Sequence, residues 1–246
     1  MNIEYNKIYN QSCLEILKDI PDQEIDLVVT SPPYNMNLRI RGNKYVKRSY
    51  KEKGFSTKYD GFKDDLPIDE FYNLHKSILT ELLRTSKIIF YNIQIVTGSK
   101  KAFFKLIGDF SEQLKDIIVW DKGHGQPSML PAVLNRQSEL ILIFDSTNAI
   151  SRQFDKVNFK RGELSDTWKI NRGKKILKEH SAVFPEELVE KIILNFSNEN
   201  DLIYDPFSGT GTTCYVAKKL NRRFLGTEIV KKYFDFSNER INQLNK

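Results

Sequence analysis

The sequence predicts an α/β fold, a doubly wound sheet of seven strands with helices on both faces. Short apolar runs alternate with segments whose apolar residues recur at helical spacing, the pattern of a mostly parallel sheet covered by helices. Near the C-terminus, "DLIYDPFSGTGTTCYVAKKL" at 201–220 reads as strand, tight turn and helix, a form in which such sheets hold ligands. At 246 residues the chain is read as a single domain, 1–246.

The strands are "NKIYN" (6–10), "DLVVT" (26–30), "KIIFYN" (87–92), "DIIVW" (116–120), "ELILIF" (139–144), "DLIYD" (201–205) and "RFLGT" (223–227). Helices are predicted between them at 12–19, 69–84, 98–109, 185–197 and 211–220, with a last one at about 231–243. The helix at 69–84 has the clearest start. Pro67 precedes it, and Asp69 and Glu70 sit near its positive end.

Composition narrows the function classes. A hydrophobic content of 40% and a mean hydropathy of -0.47 describe a globular chain rather than a disordered one. No apolar stretch approaches membrane-spanning length and the N-terminus has no signal-peptide core, so a cytoplasmic protein without membrane contact is expected. Cys13 and Cys214 are too few and too isolated for a zinc site or a disulfide framework, and no metal is expected. A net charge of +6 favours a polyanionic partner.

Two stretches interrupt the α/β rhythm. Residues 37–65 mix Arg39, Arg41, Lys44, Lys47 and Arg48 with Tyr45, Tyr50, Phe55 and Tyr59. Residues 151–180 repeat the mixture, with Arg161 and Arg172 among the cations. Either could be a solvated face. Together they suit nucleic acid, because phosphate neutralisation and base stacking need cations and aromatics side by side.

Two motifs carry chemistry. "TSPPYN" (30–35) follows an apolar strand directly, and its prolines end the strand with stiff, extended backbone. Ser31, Pro32, Pro33 and an exposed Tyr34 would then form a rigid edge. In the second motif, Asp205 ends a strand and Gly209 and Gly211 allow the backbone to approach a ligand. It lacks the G-K-[ST] ending of a phosphate loop, and Cys214 stands where a dinucleotide fingerprint has its third glycine. Glu228, ending the next strand, sits about where nucleotide-binding sheets keep the acid that holds ribose hydroxyls.

"TSPPYN" and "DPFSGTGTT" together resemble the amino-group DNA methyltransferases that use S-adenosylmethionine. Their order, catalytic-type motif first, is similar to the circularly permuted beta class. The segments "WDKGHGQPSMLPAVLNRQSELILIF" (120–144) and "HSAVFPEELVEKII" (180–193) add to the resemblance, which spans nearly the whole chain. It implies a Rossmann-like methyltransferase sheet with one antiparallel strand, and a target-recognition segment at 145–179. It places Asp205, Phe207, Gly209, Gly211 and Thr212 on the methionine and glycine-loop side of the cofactor and Glu228 on the ribose. His180, Ser181 and Phe184 would line the methionine end. Ser12 and Cys13, in "NQSCLEIL", stand where the family often has an acid near the adenine. Arg136 joins the basic residues expected on DNA.

The residues suit that chemistry. An exocyclic amine is a poor nucleophile because its lone pair is delocalised into the ring. The Ser31 oxygen and the Pro32 carbonyl can accept its protons as charge develops, with both prolines fixing the geometry. Tyr34 would stack on a base flipped out of the duplex. In the family Ser-Pro-Pro-Tyr accompanies mostly cytosine N4 methylation, so cytosine is the expected base and adenine N6 the alternative. Double-stranded DNA is the implied partner, in a restriction-modification system. A cognate endonuclease and a second copy of the chain are further candidates. A nucleic-acid-binding protein on an inactive methyltransferase scaffold is the reading from another class; it predicts damage at Ser31, Gly209 or Glu228, which are intact.

Overall fold

The computed structural model describes residues 3–41, 44–47, 64–126, 131–173, 176 and 184–245. All seven predicted apolar runs form strands: β1 (Lys7–Tyr9), β2 (Ile25–Thr30), β5 (Ser86–Ile93), β6 (Leu114–Gln126), β7 (Arg136–Asp145), β9 (Leu202–Asp205) and β10 (Arg223–Thr227). Three more appear. Strands β3 (Leu38–Arg41) and β4 (Lys44–Lys47) pair as an antiparallel hairpin, and β8 (Thr167–Lys169) pairs with β6. The main sheet therefore has eight strands rather than seven, in the order β1-β10-β9-β2-β5-β7-β6-β8. Only β7 runs antiparallel to its neighbours in it, as the family resemblance implies.

The helices are α1 (Cys13–Leu17), α2 (Ile68–Thr85), α3 (Lys100–Asp109), α4 (Glu186–Phe196), α5 (Thr212–Lys219) and α6 (Lys231–Asn242). They divide between the faces because strand side chains alternate. Val28, Ile89, Tyr91, Leu142 and Tyr204 face a core closed by α1, α2 and α3. Leu27, Val29, Phe90, Ile141 and Ile203 face the other, closed by α4, α5 and the end of α6. The central run Leu27, Val28 and Val29 is fully buried, each side chain contributing roughly 1.5–3 kcal/mol by removal from water.

Segment 151–180 departs from its predicted reading. Its aromatics pack inward, Trp168 buried in the core and Phe154 and Phe159 half-buried against it. Trp168 is buried on β8, with its indole nitrogen donating to the Ser165 carbonyl at 2.7 Å and the Lys191 ammonium 4.5 Å from its ring. Phe154 and Phe159 pack against Phe196 of α4 at ring separations of 5.2 and 5.4 Å. Such rings bury large apolar areas, so a nearby unfilled sheet edge captures them.

Strand connectivity also positions the ligand-binding edge. From β2 the chain crosses through α2 to β5 on one side, whereas from β9 it crosses through α5 to β10 on the other. The winding direction reverses between β2 and β9, and ligands of open α/β sheets bind outside the carboxyl ends of strands at such a reversal.

Candidate active site

The carboxyl edge of the sheet places the two sequence motifs side by side. Ser31 follows β2 and Asp205 ends β9, the strands that flank the reversal. Glu228 follows β10, and Ser12 follows β1 beyond it. Ser12, Ser31, Pro33, Asp205, Phe207, Gly209, Thr212 and Glu228 all line one cavity, with Phe184 also in its wall. Apolar side chains of α2, namely Phe71, Leu74 and Ile78, close it from above one face.

The glycine turn is held mainly by backbone. Gly209 and Gly211 take φ values of 51° and 76°, a region open to glycine at little cost. A Cβ on Gly211 would lie 2.7 Å from Cβ of Ser237, so this position is closed to a side chain by packing as well. Glu228 fastens the turn: one carboxylate oxygen accepts from the Gly209 N–H at 2.8 Å, the other from Val230 N–H at 2.7 Å. Each oxygen retains acceptor capacity beyond that bond. Burial raises the Glu228 pKa, and the two N–H donors oppose the rise.

Asp205 joins the two motifs. Its Oδ1 accepts from the Thr30 hydroxyl at 2.8 Å and from Phe207 N–H at 3.0 Å. Burial pushes its pKa up to about 6, against those hydrogen bonds. Thr213 adds a second tie, its hydroxyl donating to the Val29 carbonyl at 3.2 Å. Two buried groups in the wall are electrostatically quiet. Burial lowers His75 to about 3, leaving a neutral ring whose Nδ1 lies 2.5 Å from the Tyr91 hydroxyl. Burial pushes the Cys13 thiol up to about 12, so it stays protonated and makes no nucleophile.

The Ser31 corner is built differently, from side chains. Ser31 Oγ lies 2.5 Å from the Tyr34 hydroxyl, which in turn is 3.2 Å from Oε2 of Glu139. Asn92 Nδ2 donates to Tyr34 Oη at 2.6 Å and to Glu139 Oε2 at 2.8 Å. Lys122 donates to Glu139 Oε1 at 2.8 Å, with both side chains largely out of solvent. The predicted exposure of Tyr34 is therefore corrected: it is 4% exposed, its hydroxyl meeting Ser31, Glu139 and Asn92 beneath the edge. Pro32 is buried and Pro33 half-buried.

The remaining predicted residues are scattered. Lys44 is exposed on the hairpin, and Arg161 and Arg172 are exposed in the later segment. Arg136 is exposed at the start of β7 and donates to the Ile95 carbonyl. The backbones of Arg39, Arg41 and Lys47 belong to the hairpin, while their side chains, together with Arg48, His180 and Ser181, lie outside the described residues. Asn92, Glu139, Lys122, Thr30 and His75 are site residues that the sequence reading misses. For Glu139 a signal existed: a carboxylate opening the apolar run "ELILIF" must find a partner if the strand is buried.

A family model described as DNA methylase, of the N6/N4 methyltransferase type, matches residues 25–239. The type II methyltransferase M.BglII of Bacillus subtilis is 30% identical, over 94% of this chain and 68% of its own. The orphan methyltransferase M.BamHII of Bacillus amyloliquefaciens is 30% identical, over 91% of each chain. Among solved structures, the PvuII DNA methyltransferase (cytosine-N4-specific) superimposes with a TM-score of 0.69 at 18% identity, covering 95% of this chain and 85% of that one. The M1.HpyAVI–SAM complex gives a TM-score of 0.65 at 23% identity, covering 96% and 98%. At these identities the three-dimensional likeness establishes the fold.

Proposed function

The chain belongs to the DNA methylase family of the N6/N4 type, and on that premise we propose that it methylates cytosine N4 in duplex DNA from S-adenosylmethionine. One observation carries the proposal. Ser31 and Pro33 share a cavity with the glycine turn and Glu228, so an amine held at Ser31 meets whatever the turn binds.

The cavity suits that cofactor. It is mainly apolar, with Phe71, Phe184 and Phe207 available to a flat purine and a few polar groups to orient it. Glu228 has spare acceptor capacity for ribose hydroxyls after fastening Gly209 and Val230. Asp205 offers acceptor oxygens and, above about pH 6, a negative charge for the cationic methionine portion. When bound, S-adenosylmethionine supplies an electrophilic methyl group on a sulfonium.

The protein's own task is to prepare the amine. Ser31 Oγ and the Pro32 carbonyl accept its N–H groups, drawing the nitrogen lone pair out of the ring as positive charge develops. The two prolines keep these acceptors from relaxing. A base reaches the cavity only after leaving the duplex stack, so extrusion is part of the proposal. With Tyr34 buried, its contribution is the hydroxyl rather than an exposed ring. The exposed cations Lys44, Arg136, Arg161 and Arg172 are the proposed phosphate-binding groups. The setting we propose is a restriction-modification pair.

Methylation-aware sequencing of DNA from cells expressing the chain tests this directly. N4-methylcytosine at one short recurring sequence is expected. Methyl groups on adenine N6 at such a sequence would move the assignment to the other amine. An unmodified genome from cells containing folded protein would defeat the proposal.

A further inference from the structure

The Ser31 corner has a direction as well as a shape. Ser31 helps methyl transfer only while its oxygen lone pairs, and not its proton, face the incoming amine. A serine hydroxyl is both donor and acceptor, so something must choose. We infer that Glu139, held by Lys122, is a positioning residue that fixes the hydroxyl protons of Tyr34 and Ser31 so that Ser31 presents lone pairs to the cavity. The inference rests on the proposed role of Ser31 as the acceptor of the amine's protons.

The direction follows from the one group in this corner that can only accept. Lys122 lies 2.8 Å from Oε1 of Glu139, an ion pair 2% and 11% exposed. Oε2 of that anion faces the Tyr34 hydroxyl at 3.2 Å and therefore receives its proton. Tyr34 Oη is then an acceptor on its remaining sides. Asn92 Nδ2 donates to it at 2.6 Å, and Ser31 Oγ, 2.5 Å away, must donate its own proton there. That leaves the lone pairs of Ser31 for the cavity it lines and for the long 3.3 Å approach of the Asn92 amide.

Asn92 shows that the carboxylate controls its surroundings. Its amide turns the NH2 group towards Glu139 at 2.8 Å, while its Oδ1 is buried with no partner among the described residues. Reversal of the amide would set that oxygen against the anion. An unpartnered buried acceptor is costly, so its presence here marks an arrangement that serves the hydroxyl relay rather than local satisfaction. The same residues read from the sheet explain how the relay is built: Asn92 is on β5, Glu139 on β7 and Lys122 on β6, three adjacent strands under the Ser31 edge.

Glu139→Gln exchanges the acceptor-only group for one that can also donate, which releases the direction of both hydroxyl protons. Single-turnover methyl transfer should slow by about 10²-fold, the scale of losing one preorganised acceptor. Cofactor and DNA affinity should stay within about twofold, because neither is bound by this carboxylate. In a Tyr34→Phe background, where the relay is already cut, Glu139→Gln should add less than about threefold. A wild-type rate in Glu139→Gln, or penalties that multiply in the double variant, would overturn the inference. If Glu139→Gln fails to fold with Lys122 unpaired, Glu139→Gln/Lys122→Gln carries the same comparison without the stranded charge. Neutron diffraction from the deuterated wild type decides the matter without activity. The Tyr34 deuteron should point to Glu139 and the Ser31 deuteron to Tyr34, and a Ser31 deuteron pointing into the cavity would refute the assignment. A wild type that methylates no DNA would sink the proposed function while leaving that neutron result to stand.

Discussion

The glycine turn and the Ser31 corner line one cavity, yet they are specified in opposite ways. In the turn, backbone conformation does most of the work: two positive-φ glycines, the Gly209 N–H directed at Glu228, and no room for a Cβ at Gly211. At the corner, backbone supplies only stiffness. There five side chains meet within hydrogen-bond distance: Ser31 and Tyr34 after β2, Asn92 of β5, Lys122 of β6 and Glu139 of β7. A site made of backbone tolerates change in remote side chains. A site made of a side-chain relay transmits it.

The largest effect should therefore appear at the corner. Ser31→Ala should lower the single-turnover rate by roughly two to three orders of magnitude, the loss expected for one preorganised transition-state acceptor. Cofactor affinity, measured by calorimetry, should be unchanged. A comparable loss of cofactor binding would mean that Ser31 belongs to the turn's half of the cavity.

Asp205, one of two carboxylates that tie the turn down, separates stability from binding. Its carboxyl holds a proton more tightly in the folded state, at about 6, than the ordinary value of 3.8. The stability it contributes is therefore complete below about pH 4 and lost as pH rises towards about 6. Asp205→Asn keeps an oxygen that can accept from Thr30 and Phe207 but never ionises. The variant's melting advantage over wild type should open between those two pH values and then level off, at an upper limit on the order of 2–3 kcal/mol. Its affinity for S-adenosylmethionine above that range should fall. Parallel melting profiles across the range would show that Asp205 carries no buried charge.

Glu228→Ala should weaken S-adenosylmethionine binding by about 1.5–3 kcal/mol, typical of hydrogen bonds to a charged group. It also strands the Gly209 and Val230 N–H groups, so a modest loss of melting temperature should accompany it. DNA affinity should hold. An unchanged cofactor affinity in titration calorimetry would remove Glu228 from the site.

What the sequence revealed follows the same division. The seven apolar runs and the glycine turn were legible because short continuous apolar runs and glycine chemistry are local signals. Strand β8 was not: Thr167–Lys169 are three residues without an apolar run, and pairing with Val119–Asp121 of β6 makes them a strand. The inward packing of Phe154 and Phe159 was hidden for a related reason, since composition cannot distinguish a ring offered to a base from one half-buried against Phe196. Asn92, Lys122 and Glu139 lie 61, 91 and 108 residues beyond Ser31 in the chain. Their meeting is a product of strand order, which no short-range pattern records. Even Tyr34, inside a readable motif, was legible in identity and not in burial.

The smallest predicted effect concerns the outer surface. Replacing Lys44, Arg161 and Arg172 with Glu should flatten the dependence of DNA binding on salt, lowering the log–log slope by about 0.9 for each phosphate no longer neutralised. Methyl transfer at saturating DNA should change little, since none of these cations lines the cavity. An unaltered slope would make them a solvated face.

The most direct test of an edge that prepares an exocyclic amine is the chemical identity of the product. Purified protein, isotopically labelled S-adenosylmethionine and duplex DNA are incubated, and the DNA is digested to nucleosides for mass spectrometry. Labelled N4-methylcytosine is expected from the wild type and almost none from Ser31→Ala, with both proteins binding the cofactor equally. Label on cytosine C5, or an equal yield of the amino-methylated base from Ser31→Ala, would contradict the role given to this edge.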